Sequence, residues 1–595
     1  MSAGNNRDGA AVDALREELL RRRLSGAAPR GGRPGIGPAD RTAPLVLSHG
    51  QRQMWFLNRL EPGSPEYLVP FAFRLRGALD VAALRRAWTE LTARHEVLRT
   101  RYALAGAEPV QLVDDAAAEP ELPLVEATGA AADRILAEEA VTPFDVERQW
   151  PARARLIRTG PDEHILTVVF HHIAFDAWST GVLGGELAAL YEAFREGRPS
   201  PLPALPVQYA DYAAWQRAEL SGDALERHLA YWRERLAGLP STDLPADRPR
   251  PAFRSSAGGD VSFPVSAELS AAVRDIARRH GTTPFVVLLS AFQLLVSRYT
   301  GLRDVPVGTT VSGRVHPQLQ DMIGYCVNSL VMRGRWQEDT GFDDLVALNR
   351  AALADAYDHQ AVPFAQLVDE LRPERDMSRT PLYQVALTMH QRGDGGLRLA
   401  DLDVVPHPMT SRIAKCDLEL QVDDAGQDGF RAQLVYATAL FDEATVERMA
   451  GHFVRLLESA VAEPGRPVAR LGMLGAGERE WLLAAGGEGS VAADPRVVHE
   501  VFEARVAVAP EAVAVVAGGV ELTYAEVNRR ANRLAHRLRA LGAGPESLVG
   551  VCLERGVELL PALLGVLKSG AGYVPLDPAN PVERLGYVLA DAGVG

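Results

Sequence analysis

Hydrophobic and polar positions alternate between two periods through most of this chain. Residues 165 to 170, Ile-Leu-Thr-Val-Val-Phe, form a run rich in β-branched and aromatic residues with no breaker, the pattern of a strand buried on both faces. After Ser179 the apolar positions fall at helical spacing, Leu183, Leu187, Leu190, Tyr191 and Phe194, with Ser179 expected as the helix N-cap. Leu68 to Leu75 predicts a strand and Val81 to Ala93 a helix. A Pro-punctuated stretch, Pro240 to Pro251, precedes a second set: a strand at Asp260 to Val265, helices over 267–280 and 283–299, and a strand from Pro306 to Gly313. Strand and helix signals thus alternate over 45–475, which predicts an α/β or mixed α+β architecture.

The flanks read differently. Residues 9–25 carry an apolar stripe of Val12, Leu15, Leu19, Leu20 and Leu24, so an amphipathic helix is expected within 1–25, and the Gly- and Pro-rich stretch over 26–44 is expected to be a flexible linker. The Pro-punctuated stretch splits the globular body into two halves, 45–235 and 236–475. Gly486, Gly487 and Gly489 mark a further linker over 476–497, and a new pattern begins at Val498 and runs to 595.

Composition narrows the function classes. With 595 residues and 47% hydrophobic content there is ample material for several cores. A net charge of -14 and a pI near 5.6 argue against nucleic-acid binding. No run approaches the 18 apolar residues of a membrane span and the N-terminus lacks a signal-peptide core, so a cytoplasmic protein away from membranes is expected. Cys326, Cys416 and Cys552 are too few and too scattered for a disulfide framework or a zinc site.

Candidate chemistry gathers at the end of the apolar strand, where His171 and His172 are followed by Asp176 and Ser179. On an extended backbone adjacent side chains point to opposite faces, so one imidazole faces the protein and the other a cavity. The same divergence argues against a metal, since nothing nearby completes a tetrahedral ligand set. A histidine in an arbitrary protein is more often a hydrogen-bonded structural group than a catalyst.

The segment His171-His172-Ile-Ala-Phe-Asp176-Ala177-Trp178-Ser179 resembles the HHxxxDG core of condensation domains of nonribosomal peptide synthetases, with Ala177 where that family usually has Gly. Leu47 to Leu57 resembles the family's opening motif and Arg94 to Tyr102 its second. Gln208 to Gln216 is similar to YxDYAxW, and Met322 to Ser329 to IGxFVNT. His359 to Phe364 and Arg375 to Leu382 resemble the last two. All stand in family order across 45 to about 475. Leu522 to Asn528 and Leu567 to Pro578 resemble the first two motifs of amino-acid adenylation domains, so 498–595 reads as the truncated start of one, without its phosphate loop and not expected to activate amino acids alone.

The resemblance implies two chloramphenicol-acetyltransferase-like lobes forming a V around a tunnel, plus a partial α/β adenylation segment. It implies attack by the amine of a carrier-bound aminoacyl thioester on a carrier-bound donor acyl or peptidyl thioester. His172 would be the cavity-facing group, acting as base or by hydrogen-bonding the intermediate. His171 would be structural, Asp176 would pair with Arg314, and Ser179 would support rather than attack. Arg94, His95 and Glu96 would lie near the channel rather than in it. No cofactor or metal is expected on this chain; 4'-phosphopantetheine would arrive on an upstream donor carrier, supplied by another polypeptide, and a downstream acceptor carrier. The remainder of an adenylation domain is a further expected partner, and a monomer is expected. Related epimerisation domains would not be expected to run into an adenylation start, and heterocyclisation domains would carry aspartates in place of the two histidines. A catalytically silent platform that recruits a carrier or tailoring enzyme is the alternative that Ala177 leaves open.

Overall fold

The computed structural model describes residues 35–116, 120–372, 376–391, 396–409, 413–487 and 495–594. The expected helix at 1–25 and the linker up to residue 34 lie outside them. The chain divides after Gly475 into two compact units.

The first unit is two-lobed and mixed α/β. One lobe is built on a five-stranded sheet ordered Asp403–Pro406, Leu68–Arg76, Glu163–His171, Ala152–Gly160, Leu124–Glu126. Glu163–His171 has neighbours on both sides and is buried from His164 onward, as its unbroken apolar run predicts. Against it pack the helices Val81–Arg94 and Ser179–Arg195, through Leu84, Trp88, Leu91, Leu183, Leu187 and Leu190. The other lobe has a six-stranded sheet in the order Asn328–Arg335, Asp304–Val311, Val385–Gln391, Leu418–Asp424, Phe430–Ala437, Gly258–Val265. The helix Pro284–Thr300 is buried along its middle from Val286 to Val296, so it reads as a core helix. The helices Ala267–Arg279, Phe342–Asp358 and Glu443–Ala462 pack around it.

Three boundaries differ from those the sequence predicts. Composition predicts a free linker over 26–44, yet from Gly35 onward this stretch lies on the body. Ile36 is buried and exchanges hydrogen bonds with the Gln318 amide, Ala39 N–H donates to Asp211 at 2.8 Å, and Arg41 pairs with Glu96 and Asp211. Composition cannot anticipate this, because the partners are up to 282 residues away. A linker is likewise predicted over 476–497, but Ala476–Gly487 is helical. The division at 235/236 is also not a clean cut. Leu229 and Trp232 of the helix Gly222–Arg235 belong to the second core, whereas Leu319, Met322, Ile323, Leu397 and Leu399 belong to the first. Strand Asp403–Pro406 completes the first sheet by pairing antiparallel with Leu68–Arg76.

The second unit holds two hairpin-sized sheets, Val513–Ala517 with Val520–Thr523 antiparallel and Leu548–Cys552 with Gly572–Leu576 parallel. The helices Tyr524–Ala540 and Leu559–Ser569 pack on each other. Thr523 caps the first of these, its hydroxyl accepting from Glu526 N–H in a capping box. Among the described residues of the chain no single helix is long and apolar enough to cross a membrane.

Candidate active site

The site begins where the buried strand runs out. The extended backbone ends at His171, and His172–Ala174 form one 3-10 turn. Phe175 folds back to stack on Phe170 with ring centroids 4.0 Å apart, and Phe71 meets both rings edge-on. This apolar clamp leaves the two imidazoles on opposite sides. His171 is buried, its Nδ1 accepts from Ile173 N–H at 3.1 Å, and burial pushes its pKa down to about 4, so it is a neutral wall residue.

His172 is half-buried and lines a cavity of about 1580 Å³ between the lobes. Its Nδ1 lies 2.8 Å from the Phe175 carbonyl oxygen, which can only accept, so Nδ1 carries the proton and the lone pair of the neutral ring sits on Nε2. Tyr325 meets the imidazole edge-on at 5.6 Å. The Lys415 Nζ stands 3.4 Å from Nε2. Burial first, and the Lys415 cation second, hold His172 well below the ordinary 6.5 of imidazole, while the Phe175 carbonyl pulls the other way. His172 is therefore a neutral acceptor at neutral pH.

Asp176 and Ser179 face away from that cavity centre and join the lobes. Asp176 pairs with Arg314 at 3.0 Å, and both side chains are almost fully buried. The carboxylate also accepts from Cys326 N–H at 3.0 Å and from Ser179 N–H and hydroxyl at 2.9 and 2.7 Å. Arg314 further donates to the carbonyls of Leu319 and Met322. The expectation of Ser179 as N-cap is corrected here. Ser179 opens the helix itself, Trp178 holds the cap position without a side-chain bond, and Asp176 supplies the capping oxygen to Ser179 N–H. The Ser179 hydroxyl is occupied by Asp176, Arg314 and the Gly324 backbone. Ala177 has no left-handed φ and faces the cavity, so its Cβ meets no backbone penalty.

The motif segments interlock behind this arrangement. Tyr209 hydroxyl joins Ser48 at 2.9 Å to the Tyr325 carbonyl at 2.5 Å. His95, bonded to Glu186 at 2.7 Å, accepts from Ile323 N–H. Asn328 holds the carbonyls of Gln360 and Val362. Arg94, His95 and Glu96 are not among the residues lining the cavity, and these contacts tie the motif segments to one another.

Sequence reasoning misses two features of the cavity: Lys415, and the Glu66–Arg254 pair, in which one guanidinium nitrogen donates to both carboxylate oxygens at 2.7 and 2.8 Å. Neither belongs to one of the motifs, and Lys415 meets His172 across 243 residues. The one signal in the sequence is compositional. Of 63 lysines and arginines, only Lys415 and Lys568 are lysines. Among the described residues no cluster of His, Cys, Asp and Glu could hold a metal ion.

Comparison with known proteins fits this geometry. The family model of the condensation domain matches residues 42–483. The chain belongs to the condensation-domain family. Behind the condensation domain, the AMP-binding enzyme model matches residues 502–595. Among curated relatives, the chondramide synthase cmdD of Chondromyces crocatus is 39% identical over 561 residues, covering 92% of this chain and 14% of that protein. The phosphinothricin tripeptide synthetase PhsC of Streptomyces viridochromogenes is 40% identical, covering 98% of this chain and 55% of its own length. The chain thus spans from 14% to 55% of the length of these two relatives. Among solved structures, the X-domain from teicoplanin biosynthesis superposes with a TM-score of 0.69 at 32% identity, covering 74% of this chain and 100% of its own.

Proposed function

We propose that this condensation domain forms an amide bond between two carrier-bound thioesters, with His172 as the cavity-facing group of the reaction. The observation that carries the reading is the fixed tautomer: the Phe175 carbonyl takes Nδ1–H and leaves Nε2 as an acceptor on a cavity large enough for two acyl groups.

The amine nitrogen attacks the donor thioester carbon, a C–N bond forms, and the carbonyl π pair moves to oxygen. Nε2 accepts a proton from the nitrogen. The carbonyl reforms as the C–S bond breaks, and the leaving thiolate takes the proton back from His172, so the ring ends neutral. An α-amine of pKa about 7.7 to 8 is already roughly one-tenth neutral at pH 7, so the first deprotonation is a small demand. Orientation supplies effective molarities of about 10⁵ to 10⁸ M, against about 10² to 10⁴ fold from a positioned base. Holding two thioesters in one cavity therefore outweighs the base.

The donor and acceptor arrive on phosphopantetheine arms of an upstream and a downstream carrier protein, and the remainder of an adenylation domain is the partner of residues 502–595. A catalytically silent platform is the second reading, favoured by the likeness to a domain solved in complex with the OxyB enzyme. Against it stand the Nε2 lone pair, which is on the cavity side and met there by the Lys415 ammonium, and the unstrained Ala177. Condensation of donor and acceptor thioesters loaded on carrier proteins, followed by mass spectrometry, decides: amide product lost in His172→Ala supports the reading, and no product from the wild-type chain sinks it.

A further inference from the structure

Arginine fills the cationic positions of this chain with two exceptions, Lys415 and Lys568. At Lys568 the reason is geometric. Its ammonium donates to Glu503, Asn528 and Asn532 at once, a three-way arrangement that a planar guanidinium does not match. At Lys415 the ammonium stands on the cavity wall 3.4 Å from His172 Nε2, the atom through which the proposed reaction runs. The other groups around the imidazole carry no competing charge. His171 behind it is neutral, and burial pushes the Tyr325 phenol up to about 12 and that of Tyr67 higher still. The neighbouring Glu66 carboxylate is taken by Arg254. Lys415 is the one cation directed at Nε2 among the described residues.

We propose that Lys415 is a further catalytic residue of the condensation reaction. In the resting site its ammonium donates to Nε2, which keeps His172 neutral and its lone pair oriented. When the acceptor amine takes that place, the flexible four-carbon stem lets the ammonium turn to the donor's carbonyl oxygen, where negative charge develops as the C–N bond forms. A cation at this point also disfavours the protonated acceptor amine and so selects the nucleophilic form. The proposal rests on the condensation reading above.

Two measurements test it on the full chain. In condensation of soluble pantetheine thioesters, Lys415→Met lowers kcat by about 10² to 10³ fold, the span for losing one donor to a developing oxyanion, whereas Lys415→Arg, which keeps the charge, recovers at least about tenfold of that loss. Removing the cation also raises the His172 pKa, so the acidic limb of the pH profile moves to higher pH in Lys415→Met, a shift that a purely structural role would not produce. Retention of kcat within about threefold with an unmoved acidic limb would overturn the proposal. The second measurement needs no turnover. With two lysines, a chain labelled with ¹³C at lysine Cε gives two side-chain signals, and Lys568→Arg assigns them. The Lys415 signal should move in His172→Ala. If it stays in place, the Lys415–His172 contact is absent and the proposal fails, whereas a wild-type chain that shows the contact but makes no amide product counts against the condensation reading instead.

Discussion

At the scale of single residues, the two neighbouring imidazoles differ through what each one touches. His172→Ala removes the cavity-facing acceptor and is expected to lower condensation by about 10² to 10⁴ fold, with the unfolding midpoint little changed. A fold-neutral variant with near-normal turnover would remove His172 from the reaction. His171 has the opposite profile. Its pKa is about 4 in the folded protein and 6.5 when unfolded, so the unfolded chain binds the extra proton between those values. This histidine therefore costs no stability above pH 6.5, and stability is lost as the pH falls from there towards 4. Comparing Tm at pH 7 and pH 5, the wild-type protein should drop by more than His171→Asn. Asp176 sits in a buried pair with Arg314, and removing one partner of such a pair costs about 3 to 5 kcal/mol. Asp176→Asn should lower the denaturation midpoint together with activity, and a loss of turnover at unchanged stability would make Asp176 a participant in the chemistry.

At the scale of elements, the site is the meeting of two strand ends from different sheets. Glu163–His171 delivers the histidines, and Asp304–Val311 runs into the turn that carries Arg314. That turn depends on Gly313, which has φ +64 and a backbone so close to the Cys326 carbonyl that a Cβ would collide with it. Gly313→Ala should destabilise the first unit by more than about 1 kcal/mol and displace Arg314 from Asp176. Gly301 has φ +75 at a helix end but open space around its Cβ position. Gly301→Ala is the matched control and should cost less in the same urea titration.

At the scale of the whole molecule, the hydrophobic clusters separate at Gly475. Three lie within the first unit, including the two large cores. Those described in the second unit are small, with Leu522, Val527, Ala531 and Leu564 in one and Val551, Val566 and Ala571 in the other. Residues 1–595 should therefore unfold in urea in two transitions, the second unit first, with the eight tryptophans of the sequence reporting mainly the later step because seven precede Gly475. A single cooperative transition by both tryptophan fluorescence and far-UV dichroism would contradict this. Within the first unit the lobes exchange segments, so a boundary drawn along the chain cannot separate them: Trp232 serves the later core and Asp403–Pro406 the earlier sheet.

What the sequence by itself determined is local or repetitive. The unbroken run from Ile165 to Phe170 specified a strand buried on both faces, since only burial tolerates so continuous an apolar surface. The adjacency of His171 and His172 predicted that they diverge if both were extended, whereas the strand ends at His171 and the turn from His172 to Ala174, with Phe175 stacked on Phe170, sets them apart. The order of the motifs specified the family. Tertiary structure decided what depends on distance in space between residues remote in the chain. It placed Lys415 beside His172, closed Glu66 onto Arg254, and laid residues 35–44 along Asp211 and Gln318. It also transferred the helix-capping role from Ser179 to Asp176, which near-neighbour rules assign by residue type alone. Periodicity reports which face of an element is apolar. It holds no information about which distant side chain will share a cavity wall, and the chemistry of this site is set there.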